Sequence, residues 1–172
     1  MQELSKFRRD ELRVVERARE TAVDLVGDFY ALAPREWDRL HYEVRTLSQL
    51  APEEICDQAF AQVLCYDCVK RVDGAVVARH DLYRICLQDH RILRVAEHGE
   101  AAGKLDLEAM LLYLLTHEMV HVVRFSQRMQ RVDLEMETRA WEERSVEHTT
   151  KQILAPVADR ALEKVFAACV GC

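Results

Sequence analysis

The sequence predicts an α+β fold in which one long helix, a small antiparallel sheet and a helical C-terminal half pack in layers. Three observations carry that expectation. Apolar residues recur every three to four positions near the start of the chain. Period-two patterns cluster between residues 61 and 89, and from Asp106 the pattern is helical to the end, interrupted at Pro156. At 172 residues, 49% of them hydrophobic, the chain can bury one proper core. We therefore expect a single domain over 1–172: a helical region over 1–50, a core over 60–155, and a C-terminal helix with a cysteine-bearing tail over 156–172.

Residues 3 to about 32 predict one amphipathic helix, with Leu12, Val15, Ala18, Ala22, Leu25 and Phe29 on its apolar stripe and Pro34 ending it. "LHYEVRTL" alternates Leu40, Tyr42 and Val44 against His41, Glu43 and Arg45, a strand pattern, although a helix fits the same residues. "APEEICDQAF" begins as a short helix should, with Pro52 in its first turn and acids behind it. "AQVLCYDCVKR", the Asp-Gly turn in "VDGA", and "VVARHDLYRICLQD" predict two or three antiparallel strands. Gly99 and Gly103 bracket a loop before the helical half.

Charge and composition narrow the function classes. A formal net charge of −6 argues against a nucleic-acid or membrane-surface binder, either of which needs a basic face. The basic residues of "KFRRDELR" are interleaved with acids, as on a solvated helix face. The opening stretch lacks the apolar core of a signal peptide, and no apolar run reaches the ~18 residues of a membrane span. With six cysteines and no export signal, we expect a cytoplasmic protein with reduced thiols.

The most apolar stretch, "LLYLLTHEMVHVVRF" (111–125), is interrupted by His117, Glu118 and His121. Burying three ionisable groups within five residues costs several kcal/mol unless they are paired or bound to metal. "HEMVH" fits the HExxH pattern, and a helix places its two histidines about 40° apart on one face. Their imidazoles can then converge on one Zn2+, with Glu118 beside them to take a proton from zinc-bound water. A catalytic zinc needs a third protein ligand. On a helical wheel over "LEMETRAWEERSVEHTTKQIL", Glu143 falls with Met136, Ala140, Glu147, Thr150, Leu154 and Val157 on the stripe expected to face inward. Glu142 and His148 fall roughly 100° and 140° away. Glu143 is the favoured ligand, with Glu147 and His148 as rivals. A turn near Arg131-Val132-Asp133, with Asp133 as N-cap, would put His121 and Glu143 each ~15 Å from it and level on two antiparallel helices. Arg124 shares the face of the histidines; we expect it to pair with an acid on the facing helix, with binding of a substrate carboxylate as the alternative.

"CYDC" (65–68) and "CVGC" (169–172) are two CxxC pairs. Cys65, Cys68, Cys169 and Cys172 could close a structural zinc site, form a redox dithiol, or be ordinary thiols. Cys56 and Cys86 lie in apolar contexts and are expected to be buried, and the remaining histidines, 41, 80, 90 and 98, show no ligand spacing.

With HExxH followed by a helix bearing a glutamate ligand, the chain resembles a zincin metallopeptidase of the gluzincin kind over roughly residues 60–155. The resemblance implies His117, His121 and Glu143 as zinc ligands and Glu118 as general base. It implies Glu147 as an acid outside the ligand shell that orients the first histidine. Here that position is Glu where the pattern usually has Asp. It also implies a peptide or protein substrate paired along a sheet edge, for which "DLYRICLQD" or "AQVLCYD" could serve. No residue matches the group that stabilises the oxyanion; His148 and Tyr113 are candidates. The N-terminal 50 residues fall outside the resemblance. Two other classes compete. One is a non-catalytic zinc-stabilised binding protein, with His148 as a fourth ligand. The other is a ferritin-like di-iron bundle built on Glu118 and His121, for which Asp38 and His41 would have to supply the second motif.

Overall fold

The computed structural model describes residues 4–99, 103–127 and 136–168. The expected turn at 131–133, the Asp133 cap, and Cys169 and Cys172 lie outside them.

Helix α1 spans Arg9–Tyr30, and the Glu11 carboxylate accepts the Arg8 backbone N–H at its start. Its buried stripe is Glu11, Val15, Ala18, Ala22 and Val26, whereas Leu12 and Phe29 are exposed. The helix stops at Ala31, which takes a left-handed conformation (φ 52°), not at Pro34. Pro34 instead opens the short α2 (Pro34–Arg39) at a position whose missing N–H costs nothing. Trp37 of α2 then packs over Gly27, where a β-carbon would come within 2.8 Å of its indole nitrogen.

Three strands follow: β1 (Tyr42–Arg45), β2 (Ala61–Val72) and β3 (Ala75–Leu87), in the order β1-β3-β2. β2 and β3 form the expected hairpin around Asp73-Gly74, both with positive φ, as a tight hairpin turn requires. β1 corrects the expectation of an antiparallel sheet: it joins β3 in parallel, with Tyr42 opposite Tyr83, so the sheet is mixed. Parallel pairing needs a long connection, here the segment from Thr46 to Gly74, which includes β2 before the chain returns as β3. Its expected short helix is only a 3-10 turn over Pro52–Glu54.

Side chains alternate across the sheet. Ala61, Val63, Tyr83, Ile85 and Leu87 face the helices and join the core. On the other face Arg84 bridges Glu43 and Glu54, each at 2.6 Å, and Tyr66 donates to Glu54 at 2.5 Å. Beyond the helices the hairpin continues as a ribbon that leaves Val69, Val72, Val76 and Val77 exposed.

A short α3 (Asp89–Leu93) follows the sheet, and the buried Asp89 carboxylate accepts backbone N–H groups from Phe7 (3.0 Å) and Leu47 (2.9 Å). Helix α4 (Leu107–Ser126) lies at the centre of the structure. Met110, Leu111, Leu115, Met119, Val120, Val122 and Val123 are all wholly buried, because the two long strands, α1, α5 (Met136–Leu154) and α6 (Arg160–Ala168) all lie against it. A helix apolar on every side can only be an interior one. No helix among the described residues is long and apolar enough to cross a membrane.

Candidate metal centre

Helix α4 begins where the Asp106 side chain accepts the Ala109 N–H at 2.9 Å, a cap that fixes its register. From there Tyr113, His117, His121 and Phe125 follow at intervals of four and share one face. Their rings form a continuous column: Tyr113 to His117 at 6.0 Å between centroids, His117 to His121 at 5.0 Å, and His121 to Phe125 at 5.8 Å. Tyr83 of β3 extends it, nearly parallel to Phe125 at 6.2 Å, and Phe166 of α6 closes the other end against Tyr113. The two imidazoles are thus held between aromatic rings, a feature legible in the four-residue spacing but not drawn from it.

Glu143 of α5 meets both imidazoles. Its Oε2 lies 3.4 Å from His117 Nε2 and its Oε1 3.3 Å from His121 Nε2. The three donor groups all lie within 4.8 Å of one another and could hold a metal ion. Donors on bonds of about 2.0–2.1 Å around a tetrahedral ion are roughly 3.3 Å apart, so the carboxylate already stands at that separation from each nitrogen. The chemistry of the set fits as well: neutral imidazoles and a carboxylate suit a divalent first-row ion. His117 Nδ1 is buried without a hydrogen-bond partner. Ring stacking on Tyr113, not a hydrogen bond from that nitrogen, holds this imidazole. Access is from the α5 side, since the Glu143 side chain is 42% exposed against 14% and 8% for the histidines.

Burial works to raise the pKa of Glu143, but hydrogen bonds from the two imidazoles and their charge outweigh it and keep the group ionised well below the usual carboxylate range. Glu118 is the opposite case. It is buried, and burial pushes its pKa up, partly offset by His117 and His121. Two carboxyl groups beside the same imidazoles therefore have opposite proton affinities, the condition under which one can ligate and the other move a proton.

Other candidates lie elsewhere. The carboxylate of Glu147 contacts Lys151 one turn on, at 2.6 Å, and does not orient His117 as the resemblance implied. His148 is exposed and is not part of the cluster, which removes it as a neighbour of these ligands here. The reason is the rotation of α5. Glu142, Val146, Thr150 and Leu154 are its buried line, while Ala140 and Val157 are exposed, so the inward stripe sits about one residue from the expected one. Glu143 lies at its edge. Glu142, set aside on the wheel, is the acid that Arg124 meets, at 2.6 Å. Trp141, next to it, is 57% exposed.

Cys65 and Cys68 are three apart on β2 and so point to opposite faces of the sheet, which keeps this CxxC from gripping one ion as a turn would. Cys86 is buried as expected, and Cys56 only partly. β3 is the central strand, so "DLYRICLQD" has no free edge for a peptide; β1 and β2 are the edge strands. Asp38 and His41 line a cavity of about 770 Å³ between α1, α2 and β1, and neither belongs to the group formed by His117, His121 and Glu143. With a three-stranded sheet packed against α4, the molecule is not the all-helical bundle a di-iron reading requires. No protein-family model, no curated protein and no solved structure matches the chain.

Proposed function

We propose that this chain is a zinc-dependent peptidase or peptidase-like hydrolase, with His117, His121 and Glu143 as the zinc ligands and Glu118 as the general base. The observation that carries the reading is the convergence of two Nε2 atoms of α4 and one carboxylate of α5, with a buried carboxyl of raised pKa beside them. When bound, zinc supplies a Lewis acid that makes a water acidic near pH 7 and polarises a carbonyl. The chain's own residues do the rest. Glu118 takes a proton from the attacking water as its oxygen bonds to the carbonyl carbon. It then returns that proton to the amide nitrogen as the C–N bond breaks. A pKa raised by burial suits both halves of that exchange. The column of rings fixes the imidazoles, so little reorganisation accompanies the reaction. An extended peptide would pair along a free strand edge, that of β1 or β2.

Glu118→Gln tests the proposal. Elemental analysis should find one zinc per chain in both wild type and variant, and peptide hydrolysis, screened with a mixed fluorogenic library, should fall by at least 10²-fold in the variant. His117→Ala should release the zinc. Turnover that survives Glu118→Gln, or wild-type protein that binds no zinc from a buffered excess, would sink the reading.

A further inference from the structure

We infer that Arg124 is a positioning residue for the metal centre: its ion pair with Glu142 sets the place of the neighbouring carboxylate, Glu143, opposite the two histidines. The inference rests on the proposed ligand role of Glu143. Arg124 lies three residues after His121 on α4, and its Nη2 donates to Glu142 Oε2 at 2.6 Å. Both side chains are largely buried, at 14% and 8% exposure. The Tyr30 hydroxyl, at the C-terminal end of α1, lies close enough to the guanidinium to interact with it electrostatically. Three helices therefore meet at one side chain, and Glu142 is bonded directly to the residue whose carboxylate faces the imidazoles.

Apolar packing alone would hold α4 and α5 together, but it is non-directional and specifies the rotation of a helix less sharply than a directional bond does. The α5 surface near Glu143 has few apolar anchors: Ala140 and Trp141 are exposed, and Val146 is the first wholly buried apolar side chain after the ligand. Nor does the pair look optimised for stability. Arg124 Nε is buried with no partner, a costly state for a guanidinium, and a buried ion pair generally adds little over apolar residues of the same size. Fixing register is the better-attested use of such a pair. The part of the chain outside the metallopeptidase resemblance also gains a role here, since α1 braces the guanidinium through Tyr30.

The test is metal affinity in the full chain, measured by competing zinc against a chelator and by the absorption of bound Co2+. Arg124→Met keeps the aliphatic stem and Glu142→Gln keeps the shape. Each should weaken zinc binding 10–100-fold while the far-ultraviolet circular dichroism is unchanged. Arg124→Lys should recover part of the loss. Tyr30→Phe should cost a few-fold. Ile85→Val, in the core of the sheet, is the stability control and should leave affinity unchanged. If Arg124→Met does not fold, Glu142→Gln decides alone. Wild-type affinity in folded Arg124→Met and Glu142→Gln, with His117→Ala abolishing binding, overturns the positioning role and leaves the ligand reading intact. A wild-type chain that binds neither Zn2+ nor Co2+ overturns both.

Discussion

Glu54 shows what a single buried charge does for this molecule. It is 1% exposed and accepts from Tyr66, from the Ala51 N–H and from Arg84. Those hydrogen bonds, Tyr66 first, lower its pKa to about 2, and the same contact pushes Tyr66 up to about 12. The folded value lies below the ordinary 4.5, so the stabilisation is complete above about pH 4.5 and is lost as the pH falls towards 2. Urea midpoints measured between pH 5 and 2.5 should therefore drop more steeply in wild type than in Glu54→Gln. At pH 7 the same substitution should destabilise by about 3 kcal/mol, because it leaves the largely buried Arg84 short of one counter-charge. Nothing in "APEEICDQAF" marks Glu54 out among its neighbours; its side-chain partners come from strands, Tyr66 12 residues on and Arg84 30.

Helices α4 and α5 show why one half of the site was legible and the other only partly so. α4 carries apolar residues all round, so its helical period and the convergence of His117 and His121 follow from the spacing alone. Its start was visible in Asp106, and Asp106→Ala should cost about 1 kcal/mol in chemical denaturation through loss of the bond to Ala109. On α5 the apolar residues are too few to fix the stripe, and a wheel centred on Glu143 placed Glu142 outside it. The structure turns the helix so that Glu142 is buried and Glu143 sits at the margin. Tertiary packing with Arg124 chose between the two acids. The strand alternation of β1 was readable, but its parallel partner was not, since no local pattern encodes which edge a strand will join. "CYDC" was read as spacing alone; once on a strand, the same spacing separates the thiols.

At the scale of the whole molecule, an ion held between α4 and α5 would bind the native state and not the unfolded chain. At a free concentration 100 times the dissociation constant it adds about 2.7 kcal/mol. For a chain of this size that is a rise of roughly 5–10 °C in Tm. Differential scanning calorimetry before and after exhaustive chelation should show the difference, and His121→Ala should show none. The fold class followed from the order of patterns along the chain, because helix, hairpin and helices bury their faces only in layers. What composition could not convey is how α1, silent in every motif, comes to run along the central helix that carries both histidines.

Trp141 stands exposed two residues before Glu143, and the only other tryptophan, Trp37, is packed over Gly27 on α1. The protein thus has its own optical gauge: red-shifted fluorescence from one indole near the site and bluer emission from the other at a distance. Cu2+ or Co2+ entering between the helices should quench the red component and spare the blue, so occupancy can be followed without any added dye.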